Sequence, residues 1–181
     1  MPSIEKSLLV KQPLRVVYNQ WTQFEEFPLF MEGVREVKQL NERRILWQAL
    51  IGTAEKEWES EITEQVPNTT IAWHSIDGVK NSGRASFEAA DEKTTLIKLH
   101  IDYELQGLWE QLGDALGMVE FRIEEDLGRF KKFIEARGAA AGGWRGTIQA
   151  KSKRTKKPSS QRLSPPSRKH QANSGRKGKP S

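Results

Sequence analysis

Apolar positions along the chain follow one period, then another, then the first again. Ser3–Val10 is a short apolar-rich run that stops at Pro13 and predicts a strand. Pro13 suits the first turn of a helix, where its missing N–H costs no hydrogen bond, and Leu14, Val17 and Trp21 then recur at helical spacings. Thr22–Glu25 (TQFE) has the form of a capping box and predicts a second short helix carrying Phe24, Phe27, Phe30 and Met31, limited or bent by Pro28. From Val34 the period is two. Arg43–Ile51 puts Ile45, Trp47, Ala49 and Ile51 on one face, and Gly52 breaks the run. In Glu55–Val66, Trp58, Ser60, Ile62 and Val66 share one face and Glu55, Glu57, Glu59 and Glu61 the other, so this strand belongs to a sheet with one face in water. Turn signals at Pro67-Asn68 and Asp77-Gly78 separate the next strands, which turn Ile71 and Trp73, then Ala85 and Phe87, inward. Thr94–Leu105 alternates most cleanly, with Thr95, Ile97, Leu99, Ile101, Tyr103 and Leu105 against Lys98, His100, Asp102 and Glu104.

The helical period then returns. Trp109, Leu112, Leu116, Val119, Ile123, Leu127, Phe130 and Ile134 form one apolar stripe that ends at Gly138, a C-cap residue. At 1.5 Å per residue, about 28 residues make a rod of roughly 40 Å. One long amphipathic helix after a run of antiparallel strands predicts an α+β fold, a curved antiparallel sheet gripping that helix. There are no internal repeats.

Charge divides the chain. Gly138–Ser181 holds 12 of the 29 Lys and Arg residues and no Asp or Glu, so 1–137 carries 17 basic against 24 acidic residues, a net charge of about −7. The division predicts a folded domain over 1–147 and a disordered basic tail over 148–181, where almost nothing apolar is left to bury. About 137 residues suffice to bury a core without staples. With no cysteine, disulfides, thiolate metal sites and a cysteine nucleophile are excluded, which fits a reducing compartment. No signal-peptide h-region is evident and no apolar run approaches the roughly 20 residues of a membrane span, so a soluble cytoplasmic protein is expected.

At this point the residues resemble a known group. Strand, two short helices, six strands and a long C-terminal helix resemble the START-like (SRPBCC, helix-grip) superfamily. Within it the chain is similar to bacterial polyketide cyclase/dehydrase-type proteins, related to coenzyme Q-binding START domains. The matching residues are Trp21 with Phe24, Phe27–Met31 (FPLFM), Gly33-Val34, Trp47, Glu57-Trp58, Ala72–Ser75 (AWHS) and Gly83. Asp126-Leu127, Phe130-Lys131, Phe133–Glu135 (FIE) and Trp144–Gly146 (WRG) complete the match, over roughly 3–147. The resemblance implies an apolar cavity between sheet and long helix. It does not by itself choose a function, because the superfamily includes lipid carriers, cyclases and hydrolases.

Parity and stripe nominate the walls of such a cavity. On the sheet these are Trp47, Trp58, Trp73, Phe87, Leu99 and Tyr103, and on the helix Leu112, Leu116, Val119 and Glu120. The tryptophans either line a pocket for a flat or isoprenoid-like ligand or simply fill the core. Glu120 lies near the helical stripe: buried, it would have a raised pKa and act as an acid; at the rim, its head stays in water. Gly113 and Gly117, mid-helix, either permit close backbone approach or leave space for a ligand. His74 and His100 fall on the outward parity and His170 in the tail, so no histidine reaches the cavity as a general base. No Ser/His/Asp grouping, phosphate loop or metal-ligand spacing is apparent, and no cofactor is called for. The leading expectation is non-catalytic binding of a small hydrophobic ligand: an isoprenoid, a lipid or an aromatic polyketide. The alternatives are a polyketide aromatase/cyclase or dehydratase, and a macromolecular interaction protein tethered to nucleic acid or ribosome by its tail.

In the tail, Lys151, Lys153, Arg154, Lys156 and Lys157 form a dense cluster suited to phosphate polyanions, and no aromatic follows Trp144 to stack on bases. The competing reading is a solubilising tail with no dedicated partner. If the cluster binds, full-length protein retains RNA or DNA at low salt and a tail-less chain does not. Affinity then falls with salt by about 0.9 log units per log unit for each phosphate neutralised on B-DNA, with little sequence preference. Retention by the tail-less chain would place the contact elsewhere.

Overall fold

The computed structural model describes residues 2–104 and 115–151. Their elements are β1 (Ser3–Val10), α1 (Leu14–Trp21), a 3-10 helix (Phe24–Leu29), β2 (Val34–Gln39), β3 (Arg44–Ile51), β4 (Ala54–Val66), β5 (Thr70–Ser75), β6 (Asn81–Asp91), β7 (Thr94–Tyr103) and α2 (Ala115–Arg137). Trp109, Leu112, Gly113 and the cluster Lys153–Lys157 lie outside the described residues, as does the side chain of Leu116.

Among the described residues the seven strands pair in one antiparallel sheet, in the order β1-β7-β6-β5-β4-β3-β2. The pairing of β1 with β7 brings the first strand beside the last, with Lys6 opposite Leu99 and Val10 opposite Thr95. The sheet curls around α2, the helix-grip arrangement. Inward-facing Ile45, Ile62, Ile71, Ala85, Phe87, Ile97 and Leu99 are all buried, whereas the outward glutamates of β4 reach neighbours on their own face, such as Arg44 (to Glu59, 3.0 Å) and Gln48 (to Glu57, 2.8 Å).

Two local expectations are corrected. β4 carries a bulge: Ile62 pairs with Trp73 but Glu64 with Ala72, leaving Thr63 as the extra residue. Beyond it the faces exchange, so Gln65, not Val66, points inward and is 1% exposed. The TQFE segment is no capping box. The 3-10 helix has Gln23 at its N-cap without a side-chain bond, and the Thr22 hydroxyl donates back to the Asn19 carbonyl at 2.6 Å. Proline at position 28 explains the tight short helix, since it removes a donor from any longer α-helical ladder.

Aromatic side chains close one end of the structure. Trp21 meets Phe27, Phe87 and Phe130 edge-on at centroid distances of 5.8, 5.6 and 5.1 Å, and Phe30 meets Phe130 at 5.0 Å. Edge-to-face pairs of this kind add about 0.5–1.5 kcal/mol each beyond their area burial. Leu127, Phe130 and Ile134 of α2 are buried against this cluster. Polar bonds fix the same half of the helix to the turn before β2. Buried Asp126 accepts from the Glu32 N–H at 3.1 Å and from the Arg129 guanidinium, and Arg129 Nε donates to the Phe30 carbonyl at 3.0 Å. Burial raises the Asp126 pKa, more than its bonds to Arg129 and the Glu32 N–H lower it.

Gly138 caps α2 with φ +72°, its N–H on the Ile134 carbonyl, and the chain then returns across α1. The Trp144 N–H donates to Thr22 Oγ1 at 3.0 Å. Arg145 donates to Asn19 Oδ1 (2.6 Å) and Asn68 Oδ1 (2.9 Å) while its guanidinium lies 5.6 Å from the Tyr18 ring centroid. Ile148 forms a bridge with Gln65 and is buried. The folded unit therefore runs to Lys151, and the boundary read at 147 falls within this strap. Truncation after Lys151 should leave the melting temperature unchanged. Truncation after Gly138 should cost about 2–4 kcal/mol through lost Ile148 burial and Arg145 stacking. Equal melting of the two truncated proteins would show that the strap is not part of the core.

Candidate functional site

The strand registers define two ends of the inner face. Phe87, Ile71, Gln65 and Thr95 lie at the end closed by the aromatic cluster, and Trp58, Ser75, Asn81 and Tyr103 at the other. Beside that second end α2 turns from buried to partly open. Val119 and Ile123 are half-buried, while Met118 and Phe121 are 51% and 65% exposed.

Three tryptophans mark the open end. Trp47 and Trp58 are register partners whose rings stack at 5.9 Å with an interplanar angle of 2°. Trp47 also touches Phe27 edge-on at 5.7 Å, which ties the stack to the closed end. Trp73 lies across the neighbouring strand over Gly83, where an added Cβ would stand 2.5 Å from the indole, so only glycine admits this ring position. Its Nε1–H donates to Asn81 Oδ1 at 3.2 Å, and the Asn81 N–H donates to Ser75 Oγ at 3.0 Å. All three residues are half-buried, whereas Trp21 at the closed end is 7% exposed.

Polar groups are few. Tyr103 is buried on β7 and its hydroxyl has no hydrogen-bond partner among the described residues, nor has the buried Trp47 Nε1. Burial, assisted by the charge of Glu120, raises the Tyr103 pKa and keeps it a phenol. Lys6 Nζ reaches Glu120 at 2.8 Å and Glu124 at 3.3 Å; the bond to Glu120 is the main cause of its raised pKa. A cleft of about 300 Å³ opens between the Glu32–Arg35 turn, Leu50 and Gly52 of the β3–β4 hairpin, and Arg122 of α2. Another, of about 470 Å³, lies on the outer side around Thr70, Arg84, Ser86 and Lys98. Among the described residues no group of three or more His, Asp or Glu is placed to hold a metal ion.

The structure brings Trp47, Trp58, Trp73 and Tyr103 to the open end, with Glu120 near Tyr103 and Val119 half-buried on the same part of α2. Phe87 instead packs at the closed end against Trp21 and Tyr18, and Leu99 is buried midway, opposite Lys6. Glu120 is at the rim, its side chain 47% exposed and paired with Lys6. Gly117 lies within α2. Lys151 is exposed at the end of the described chain. The two histidines among the described residues stand on the outer face: His74 near Glu61 at 3.7 Å, His100 between Glu5 (3.1 Å) and Asp102 (3.2 Å). Two site residues escaped the sequence reading, Lys6 and Asn81. Counting by two from Ile4 through Leu8 and Val10 puts Lys6 on the inner face, a signal masked by treating that strand simply as apolar.

A family model described as polyketide cyclase/dehydrase and lipid transport matches residues 10–132. The chain is 40% identical over 149 residues to an uncharacterized 17.2 kDa protein in the melC2-rnhH intergenic region of Streptomyces lincolnensis, covering 82% of this chain and 99% of that protein. Among solved structures it resembles the Zhui aromatase/cyclase from Streptomyces sp. R1128 (TM-score 0.66, 18% identity, 79% of this chain and 99% of that one). It also resembles a START superfamily protein from Mycobacterium smegmatis (TM-score 0.60, 14% identity, 72% and 98%). At those identities the structural matches speak for the fold. The sequence match over most of the domain speaks for descent, and the chain belongs to the polyketide cyclase/dehydrase and lipid transport family.

Proposed function

We propose that the domain binds a small hydrophobic ligand at the open end of its inner face without transforming it. The observation that carries this reading is the wall of Trp47, Trp58 and Trp73, half-buried on the inner parity of their strands where the aromatic residues of the closed end are buried. Flat or branched apolar molecules, an aromatic polyketide, an isoprenoid or a lipid, suit such a wall. The reading calls for no cofactor or metal. The basic segment from Lys151 onward belongs to the same proposal as a weak, salt-sensitive contact with nucleic acid or another polyanion, and a cytoplasmic location goes with it. No helix among the described residues is long and apolar enough to cross a membrane.

A second reading, an aromatase/cyclase or dehydratase, is favoured by one detail. The Tyr103 hydroxyl is buried, protonated and unpartnered among the described residues, which suits a proton donor to a substrate oxygen, with Glu120 nearby as the carboxylate. The solved neighbour named as an aromatase/cyclase shares the fold on which such a step would run.

A neutral naphthyl or ubiquinone-like probe should bind the chain saturably. Trp58→Ala or Trp73→Ala should weaken it about tenfold, as the loss of one aromatic wall implies, and Glu57→Ala, on the outer face beside Gln48, should not. Equal effects from all three variants would contradict the inner-face site. The histidines supply the complementary test. Burial lowers the His100 pKa, but the bonds to Asp102 and Glu5 outweigh it and the net shift is upward. Protonated His100 therefore stabilises the fold below its ordinary range of about 6.5, and that contribution is lost as pH rises through the raised folded-state value. At a largely exposed site it is worth about 1 kcal/mol or less. His100→Gln should flatten this shallow decline in stability and leave probe binding unchanged. A binding or turnover profile that disappears in His74→Ala or His100→Gln would contradict the binder reading.

A further inference from the structure

The inner face of β1 carries one charged residue among apolar ones: Ile4, Lys6, Leu8 and Val10 point the same way, and Lys6 stands opposite buried Leu99. Its side chain is 23% exposed, so its stem covers apolar surface while the ammonium reaches the rim. There it meets two carboxylates on successive turns of α2, Glu120 and Glu124. Glu120 looks both ways. It accepts from Lys6, and its charge is felt at the buried Tyr103 hydroxyl, which has no partner among the described residues. Three formal charges thus sum to minus one beside a buried, unsatisfied phenol at the edge of a tryptophan-lined surface. An ion pair that served only to pin α2 would need one carboxylate, and it would leave the Tyr103 hydroxyl unexplained, since a buried polar group without a partner is costly.

We propose that Lys6, Glu120 and Glu124, with the Tyr103 hydroxyl, form a charge-selective head-group site. It accepts ligands whose polar end is a neutral hydroxyl or carbonyl and rejects carboxylates and sulfonates. This rests on the ligand-binding reading above. A ligand carbonyl accepts from the Tyr103 hydroxyl, and a ligand hydroxyl donates to the Glu120 carboxylate. An anionic head would meet two carboxylates against one ammonium that they already engage. Selectivity then comes from repulsion of the wrong head group as much as from attraction of the right one.

Two dyes that differ by one sulfonate separate these effects: neutral N-phenylnaphthylamine and anionic anilinonaphthalene sulfonate, titrated against the full chain. The native protein should prefer the neutral dye. The double variant Glu120→Gln/Glu124→Gln leaves Lys6 uncompensated, and its affinity for the sulfonate relative to that for the neutral dye should rise about tenfold or more. Lys6→Met should act in the opposite sense, widening the preference for the neutral dye. A loosened fold also binds such dyes, so the rise is diagnostic when the variant's near-UV circular dichroism and melting temperature match the native chain's; a variant that fails this check is replaced by Glu124→Gln alone, for which the same direction of change is expected. If both dyes shift together, or the sulfonate binds the native chain as well as the neutral dye does, the charge-selective site is overturned and the apolar site stands. If neither dye binds the native chain, the ligand-binding reading falls and this inference with it.

Discussion

The edge-to-face packing of Trp21 with Phe27, Phe87 and Phe130 is the contact on which the rest of the molecule depends. It joins α1, the 3-10 helix, β6 and α2 at one end of a curled sheet. A long amphipathic helix laid across such a sheet can be clamped at one end without being packed along its whole length. The C-terminal half of α2 takes that clamp, through Leu127, Phe130 and Ile134, and the Asp126 and Arg129 bonds to the turn before β2 hold it in register. The preceding part sets Ile123 against the core and is otherwise tied at its rim, by Lys6 on Glu120 and Glu124 and by Arg122 on the Glu32 carbonyl. Polar contacts at a rim are worth less than a buried aromatic cluster. The same helix therefore has a firm half and a half whose neighbours on the sheet remain partly uncovered.

The proposed ligand site rests on that asymmetry. Tryptophan is a large core residue, and a fully packed sheet would cover Trp47, Trp58 and Trp73 as completely as it covers Trp21. They are instead only half covered: Trp47 touches the cluster through Phe27 and stacks on Trp58, and Trp73 is held over Gly83 by its bond to Asn81. The polar groups described there are few and fixed, and in the proposed binding reading they would orient a ligand. The outward-facing histidines fit the same account: each is engaged with carboxylates on the solvent side, away from the inner face.

Much of this was legible in the alternation. Thr95 to Tyr103 in β7, and Ala85 and Phe87 in β6, face as their spacing predicts, because a sheet with one wet face specifies its register strongly. The stripe on the long helix identified Leu127, Phe130 and Ile134 as core for the same reason. What the pattern missed are events that depend on partners distant in sequence. The bulge at Thr63 exchanges Gln65 for Val66 and is set by pairing with β5. The strap after Gly138 is rich in Gly and Ala and has no period, and it is ordered by side chains of α1 and the β4–β5 turn. Lys6 was legible by parity yet reads as a polar interruption, and its meaning appears only when Glu120 and Glu124 are brought beside it. The closed and open ends could not be told apart from the sequence, because Phe87 and Trp73 have the same parity and differ in what they meet: Phe87 packs on Trp21 and Tyr18 of α1, Trp73 on Gly83 and Asn81 of β6.

The central claim, that ligand occupies the tryptophan-walled end and spares the closed one, is tested most directly by the indole N–H resonances. In a heteronuclear NMR titration with a neutral aromatic ligand, the signals of Trp47, Trp58 and Trp73 should move together and saturate, while those of Trp21, in the aromatic clamp, and Trp144, in the strap, stay in place. Shifts centred on Trp21 or Trp144, with Trp58 and Trp73 unmoved, would contradict the account.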